Sequence, residues 1–150
     1  MAKVFDFKKL RRFIMIYGVV QLFLVGLLIF VAIHFQMALQ ARFIQSVVAS
    51  LVIQLALFYP INRFAAKEAE REIETSAVGL NVDELKALRS KRLLGDVIKW
   101  AVLIFFITFI VRAPKHPLFV SIIFFSFVLT ILTYFQCFNF SAKRLMKEKS

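Results

Sequence analysis

Cysteine, tryptophan and acidic residues are all scarce in this chain, and each scarcity narrows the field. A single cysteine, Cys137, in 150 residues excludes an internal disulfide and a cysteine-based metal cluster. It reads as a small apolar group within a helix. One tryptophan stands against nineteen phenylalanines, which points to lipid-facing bulk more than to a compact aqueous core. Nine Asp and Glu face twenty Lys and Arg, for a formal charge of +11. Such an excess can mark a nucleic-acid binder, but here the cations flank apolar runs instead of lining a soluble face. Anionic lipid headgroups are the expected partner, and nucleic acid is not. There is no HExxH, no glycine-rich phosphate loop and no CxxC, so no catalytic, cofactor or metal motif is on offer.

Apolar length is what the chain has in abundance. Apolar residues make up 61% of it, against roughly 45–50% in soluble domains. Residues 13–33 carry no charge; at about 1.5 Å per helical residue they reach roughly 30 Å, the thickness of a bilayer's hydrocarbon core. The run follows Lys8, Lys9, Arg11 and Arg12 as a signal peptide's apolar stretch would. It is too long for that role, and His34-Phe35-Gln36 offers no small-residue cleavage site, so it reads as a retained first span. A polar connection over 34–42 leads to a second run, 43–61, with Pro60 placed to kink the helix near its end. The third run, 94–112, is free of charge only from Trp100 to Val111 and gains full length if Lys99 snorkels to the interface. Residues 112–117 read as a tight proline-bounded turn, and the fourth run, 118–140, is long and uncharged.

Between the second and third runs, residues 62–99 hold seven of the nine acids and eight of the twenty bases. Ala65, Ala66, Glu68, Ala69, Glu70 and Glu72 are strong helix formers. The second span is therefore expected to continue as a helix into the aqueous phase, with Lys67–Glu70 and Glu68–Arg71 as i, i+3 pairs. The stretch Thr75-Ser76-Ala77-Val78-Gly79 breaks it. Asn81 then reads as an N-cap with Glu84 at the N3 position, and Leu80 is placed to staple to Leu85. Asp83 and Glu84 in the first turn, with Lys86, Arg89, Lys91 and Arg92 further on, suit the helix dipole.

Seventeen of the twenty cations lie in the two termini and the central segment; only Arg42, Arg112 and Lys115 fall in the two short turns. The positive-inside rule then puts both termini and residues 62–95 on the cytoplasmic side of the membrane. The expected fold is all-α and single-domain: a four-helix transmembrane bundle of two in-out-in hairpins, with cytoplasmic extensions of the middle two helices.

Polar residues within the runs fall into stripes. Ser46, Ser50 and Gln54 are spaced i, i+4, i+8, Gln21 stands four residues after Tyr17, and Ser126, Thr130 and Thr133 mark a face of the fourth run. Such stripes favour close helix contact and interhelical hydrogen bonds; the other reading is a polar lining for a solute path. Asp96 and Lys99, at i and i+3, are the ionisable residues nearest hydrocarbon, which makes them functional candidates, and an interfacial pair is expected. Arg89, Lys91 and Arg92 form a cationic cluster at headgroup level, suited to lipid or to a partner. His34 and His116 fall on the outer side with no acidic residue beside them, which is too little for a metal site.

Gly95-Asp96-Val97-Ile98-Lys99 opening one span, the proline turn, and Pro117-Leu118 opening the last span resemble the second hairpin of ATP synthase protein I. That family comprises small four-span bacterial membrane proteins associated with the proton-driven ATP synthase, with a Gly-acidic-x-x-Lys pattern at the start of the third span. The likeness covers residues 93–136 and, more loosely, 11–28, where Arg11 and Arg12 precede Gln21-Leu22 and Gly26-Leu27-Leu28. The second run lacks the family's glycines, and the segment 63–92 is longer. The resemblance implies a non-catalytic role in assembling the synthase's rotor ring, with Asp96 and Lys99 as contact residues.

The expectation is a non-enzymatic accessory or assembly protein, packed through its small-polar stripes against a larger membrane complex or against itself. Residues 62–95 would face a cytoplasmic partner. The alternative is a small homo-oligomeric ion channel or transporter, with Ser46, Ser50, Gln54 and the Asp96/Lys99 pair lining a path. A membrane enzyme of the small glutathione-transferase kind would need a buried arginine cluster, which the sequence does not display.

Overall fold

Long apolar stretches leave the backbone to satisfy its own hydrogen bonds, and helix is the local way to do so. A computed structural model describes residues 5–112 and 116–149, and every extended element among them is helical. In order these are α1 (Lys8–Leu39), a 3-10 turn (Gln40–Arg42), α2 (Phe43–Thr75), α3 (Val82–Arg112) and α4 (Pro117–Lys149). Three helical stretches are long and apolar enough to cross a membrane: Lys8–Thr75, which takes in α1, the 3-10 turn and α2, then Val82–Arg112 and Pro117–Glu148. The proline-bounded turn expected at 112–117 falls mainly on residues 113–115, outside the described residues.

The connection read at 34–42 contracts in the structure to the one 3-10 turn. The reason is packing: Phe35 and Leu39 are buried against Phe125 of α4, which carries α1 onward as helix. Gln40, at φ +50°, marks the break. Downstream, α2 continues through Pro60 to Thr75. Its last carbonyls are closed by the Thr75 hydroxyl donating to Arg71 O at 2.8 Å and the Ser76 hydroxyl donating to Glu72 O at 2.8 Å. Gly79 supplies the left-handed residue of the reversal, at φ +83°, a conformation that any Cβ penalises. Asn81 Oδ1 then accepts the Glu84 amide at 2.8 Å, satisfying one of the orphan donors at the start of α3. The N-terminus is tied to this turn, because the Asp6 amide donates to Ser76 O at 2.9 Å and Phe5 pairs with Ala77.

Helix α4 sits at the centre. Its contacts with α2 climb in the same direction, from Ser46 beside Ser121 to Gln54 beside Thr133 and Phe64 beside Tyr134, so the two helices run parallel. Contacts with α1 climb in opposite directions, Tyr17 lying beside Phe135 and Phe35 beside Phe124. Two apolar clusters result. The larger, at the end that carries both termini, joins Leu10, Ala65, Ala69, Ile73, Phe138 and Ala142. The smaller joins Phe35, Leu39 and Phe125. Ala65, Ala69 and Ala142 are wholly buried, and small side chains at such positions let helix backbones approach closely. Helix α3 is held least: Leu88 and Gly95 are its buried residues, while Leu93, Leu94, Trp100 and Val111 are all more than three-fifths exposed.

Candidate functional site

Beyond Pro60, α2 turns two faces inward. Ala65, Ala69 and Ile73, at i, i+4, i+8, fill the larger apolar cluster. Beside them Glu68 and Arg71 are also buried, facing α3. The Arg71 guanidinium grips Glu68 with both nitrogens, Nη1 donating to Oε1 at 2.9 Å and Nη2 lying 2.7 Å from Oε2. Nη2 also reaches Glu72 Oε1 at 3.0 Å. From α3, Lys99 Nζ lies 3.2 Å from Glu68 Oε2 and 3.8 Å from Asp96 Oδ1, and from α4 the Tyr134 ring lies beneath it at 5.3 Å. Three helices therefore meet in one ion cluster.

Gly95 makes the meeting possible. A Cβ at that position would overlap the Glu68 carboxylate and stand 3.0 Å from Arg71 Nη1, so the α2 side chains lie directly on the α3 backbone. Removing charges from water costs several kcal/mol per ion, offset only by good geometry and pairing. The bidentate Arg71–Glu68 fork supplies the geometry, while Arg71 Nε stays buried without a hydrogen-bond partner. Burial alone would lower the Arg71 pKa; hydrogen bonds and charge from Glu72 and Glu68 outweigh it and hold the value above that of a free arginine. The carboxylates are taken up by the chain's own cations. Chemically this is a clamp that sets the register of α3 on α2, with half-exposed Asp96 and Lys99 at its open side.

Closer to the 3-10 turn, α2 and α4 are laced by uncharged groups. The Ser46 and Ser121 hydroxyls are in contact; since Ser121 donates to Leu118 O at 2.9 Å, Ser46 is the donor between them. Ser50 donates to Ser46 O at 2.9 Å and sits 3.5 Å from Ile122 O. Gln54 Nε2 donates to Thr133 Oγ1 at 2.8 Å, while the Thr130 hydroxyl, bonded to Ser126 O at 2.7 Å, lies 3.4 Å from Gln54 Oε1.

No family model, curated protein or solved structure matches this chain.

The structure brings Ser46, Ser50 and Gln54 of α2 against Thr130 and Thr133 of α4, and adds Ser121, which a stripe reading passes over. Ser121 lies about 140° around the helix from Ser126 at 3.6 residues per turn, and the Ser126 hydroxyl itself is buried with no hydrogen-bond partner. Gln21 stands apart on α1, its Nε2 likewise unpartnered. Asp96 and Lys99 do pair, but the buried members of their cluster are Glu68 and Arg71, which the sequence displayed as an i, i+3 pair on an aqueous helix. Arg89, Lys91 and Arg92 are exposed on α3 and outside the clamp. The buried arginine that a glutathione-transferase site requires exists as Arg71, yet two carboxylates already occupy it. His34 packs on Phe35 and His116 Nδ1 accepts the Leu118 amide; among the described residues no group of three or more His, Cys, Asp and Glu could hold a metal ion.

Proposed function

We propose that this chain is a four-span, non-enzymatic accessory protein of a bacterial inner membrane, with both termini and the 62–95 hairpin in the cytoplasm. It would pack against a larger membrane complex. One observation carries the reading: the polar groups of α2 are taken up by α4 within the same chain, while the apolar length of α3 stays outside the core. A polar stripe already bonded to its neighbour favours helix packing over a solute path. An apolar span fixed mainly at one end by a charged clamp offers its surface to other helices. The likeness of residues 93–136 to ATP synthase protein I makes the proton-driven ATP synthase the first complex to test.

Tagged protein captured from native membranes in mild detergent should bring one complex with it in stoichiometric amount. Recovery of nothing but further copies of the chain would overturn the accessory reading in favour of a homo-oligomer. Gln54→Leu separates the two from another side. It exchanges two interhelical hydrogen bonds for apolar contact at a cost of about 0.6–1.7 kcal/mol, and the variant is expected to fold. Neither it nor the unaltered protein should carry ions across liposomes; flux that depends on Gln54 would support the channel.

A further inference from the structure

Between the last turns of α2 and the first turns of α3, with Phe5 near the N-terminus and Leu145 of α4 closing its wall, lies an open groove of about 660 Å³. Its floor is apolar, formed by Ile73, Leu80 and Leu88, and its rim carries Glu70 and Glu74 from α2 and Glu84 and Lys91 from α3. Three carboxylates to one ammonium is a reversal of sign in a chain with more than twice as many cations as acids. Among the described residues none of these four enters an ion pair, and all are exposed. Just beyond, Val78 and Val82 are 61% and 80% exposed. At about 1.5 Å per helical residue, Val78 and Val82 lie about 18–21 Å past the apolar runs of α2 and α3, where lipid tails would not cover them. Lys91 stands only about 4–5 Å before the run that begins at 94 and marks the headgroup end of the groove. Ile73 and Leu88 are themselves buried at the groove's floor, so what the groove offers a partner is an apolar-floored concavity with an acidic rim.

We propose that this groove docks a cationic amphipathic helix belonging to a partner protein. The apolar face of that helix would rest on Ile73, Leu80 and Leu88, as in other helix-in-groove complexes. Its Lys or Arg residues would meet Glu70 and Glu74, which stand one turn apart on α2, and Glu84 opposite. Anionic headgroups are a poor occupant, because the same three carboxylates repel them. Charge complementarity of this kind sets partner choice and association rate more than raw affinity. The inference rests on the accessory reading for its biological use but not for its test.

The test uses the full chain in phosphatidylcholine nanodiscs. The probe is a fluorescein-labelled amphipathic helix of leucine and lysine, compared with its leucine–glutamate counterpart. Anisotropy should rise with the lysine peptide and not with the glutamate one, after subtraction of empty nanodiscs. The triple variant E70Q/E74Q/E84Q should bind about tenfold more weakly, and added salt should weaken the unaltered protein in the same direction. Ala87→Trp, filling the groove from an exposed wall position, should block the peptide while leaving all three carboxylates in place. Equal binding of the glutamate peptide, or undiminished binding by the triple variant and by Ala87→Trp, would overturn the groove. Either result leaves the accessory role to be decided separately by what the unaltered chain captures from membranes.

Discussion

Gly95→Leu is expected to release α3 from the rest of the protein. The first added carbon already overlaps the Glu68 carboxylate, and that carboxylate cannot swing away cheaply, since it is buried and held by Arg71 at 2.7 Å and Lys99 at 3.2 Å. Overpacking costs about 1–3 kcal/mol. Breaking a buried ion pair costs about 3–5 kcal/mol, reduced here because Arg71 keeps Glu72 and Lys99 keeps Asp96 and partial exposure. A loss of about 3–4 kcal/mol follows for leucine. Gly95→Ala should lose only about 1–2, because it adds one carbon where leucine adds four, while either residue recovers up to about 1 kcal/mol of helix propensity over glycine. In a Glu68→Ala background the same Gly95→Ala change should become neutral or favourable, and that non-additivity identifies the two residues as one contact. Trp100 is the single tryptophan and stands next to Lys99, so its fluorescence during SDS titration in mixed micelles reports on α3 itself. Wild-type midpoints for Gly95→Leu would mean that α2 and α3 do not approach at this glycine.

The break between α2 and α3 was legible in the sequence because polar chemistry marks it, whereas the end of α1 was not, since packing carries that helix past His34 to Leu39. Thr75 through Gly79 stop α2 and Asn81 starts α3, for the reasons their side chains and backbone angles give. Helix neighbours were not legible to the same degree. In a span, a residue facing lipid and a residue facing another helix are both apolar, so periodicity carries little information about which side is inward. Only small or polar residues break that degeneracy. They do so for Ser46, Ser50 and Gln54, whose stripe meets α4, but nothing in the residues said that α4, and not α1, would run beside α2 in parallel.

The clamp was harder still. Glu68 and Arg71 sit among nine charged residues between Arg63 and Glu84, any of which could have been the solvated ones. Their burial depends on the absence of a side chain on another helix, at Gly95, and no local pattern in α2 encodes that. The Gly-Asp-x-x-Lys pattern drew attention to the right turn of α3, yet directed it to Asp96 and Lys99. In the structure the half-exposed Asp96 is peripheral, and the glycine is what lets the helices meet. A glycine beside a charged pair at the mouth of a span is the signal that could have found the site.

Ser46→Leu should destabilise the protein by about 3 kcal/mol, although it makes the span more apolar. Ser46, Ser50 and Ser121 are all at most 1% exposed, and the Ser46 and Ser121 hydroxyls touch, so a leucine has no room unless α2 and α4 separate. Ser46→Ala tests the other component. It removes one interhelical hydrogen bond, and within membranes such bonds average about 0.6 kcal/mol; Ser121 meanwhile keeps its bond to Leu118 O. Alanine should therefore cost well under 1 kcal/mol, and the gap between the two variants measures close packing separately from hydrogen bonding. Val48→Leu, on a side chain 53% exposed one half-turn away, should change stability by no more than about 0.5 kcal/mol. The sign at position 46 decides the matter. A serine facing lipid would be improved by leucine, and one lining a water-filled path between copies would tolerate alanine and leucine alike while flux changed. A loss for leucine with near-neutral alanine, read as helicity against SDS, is the pattern that only a tight α2–α4 contact produces.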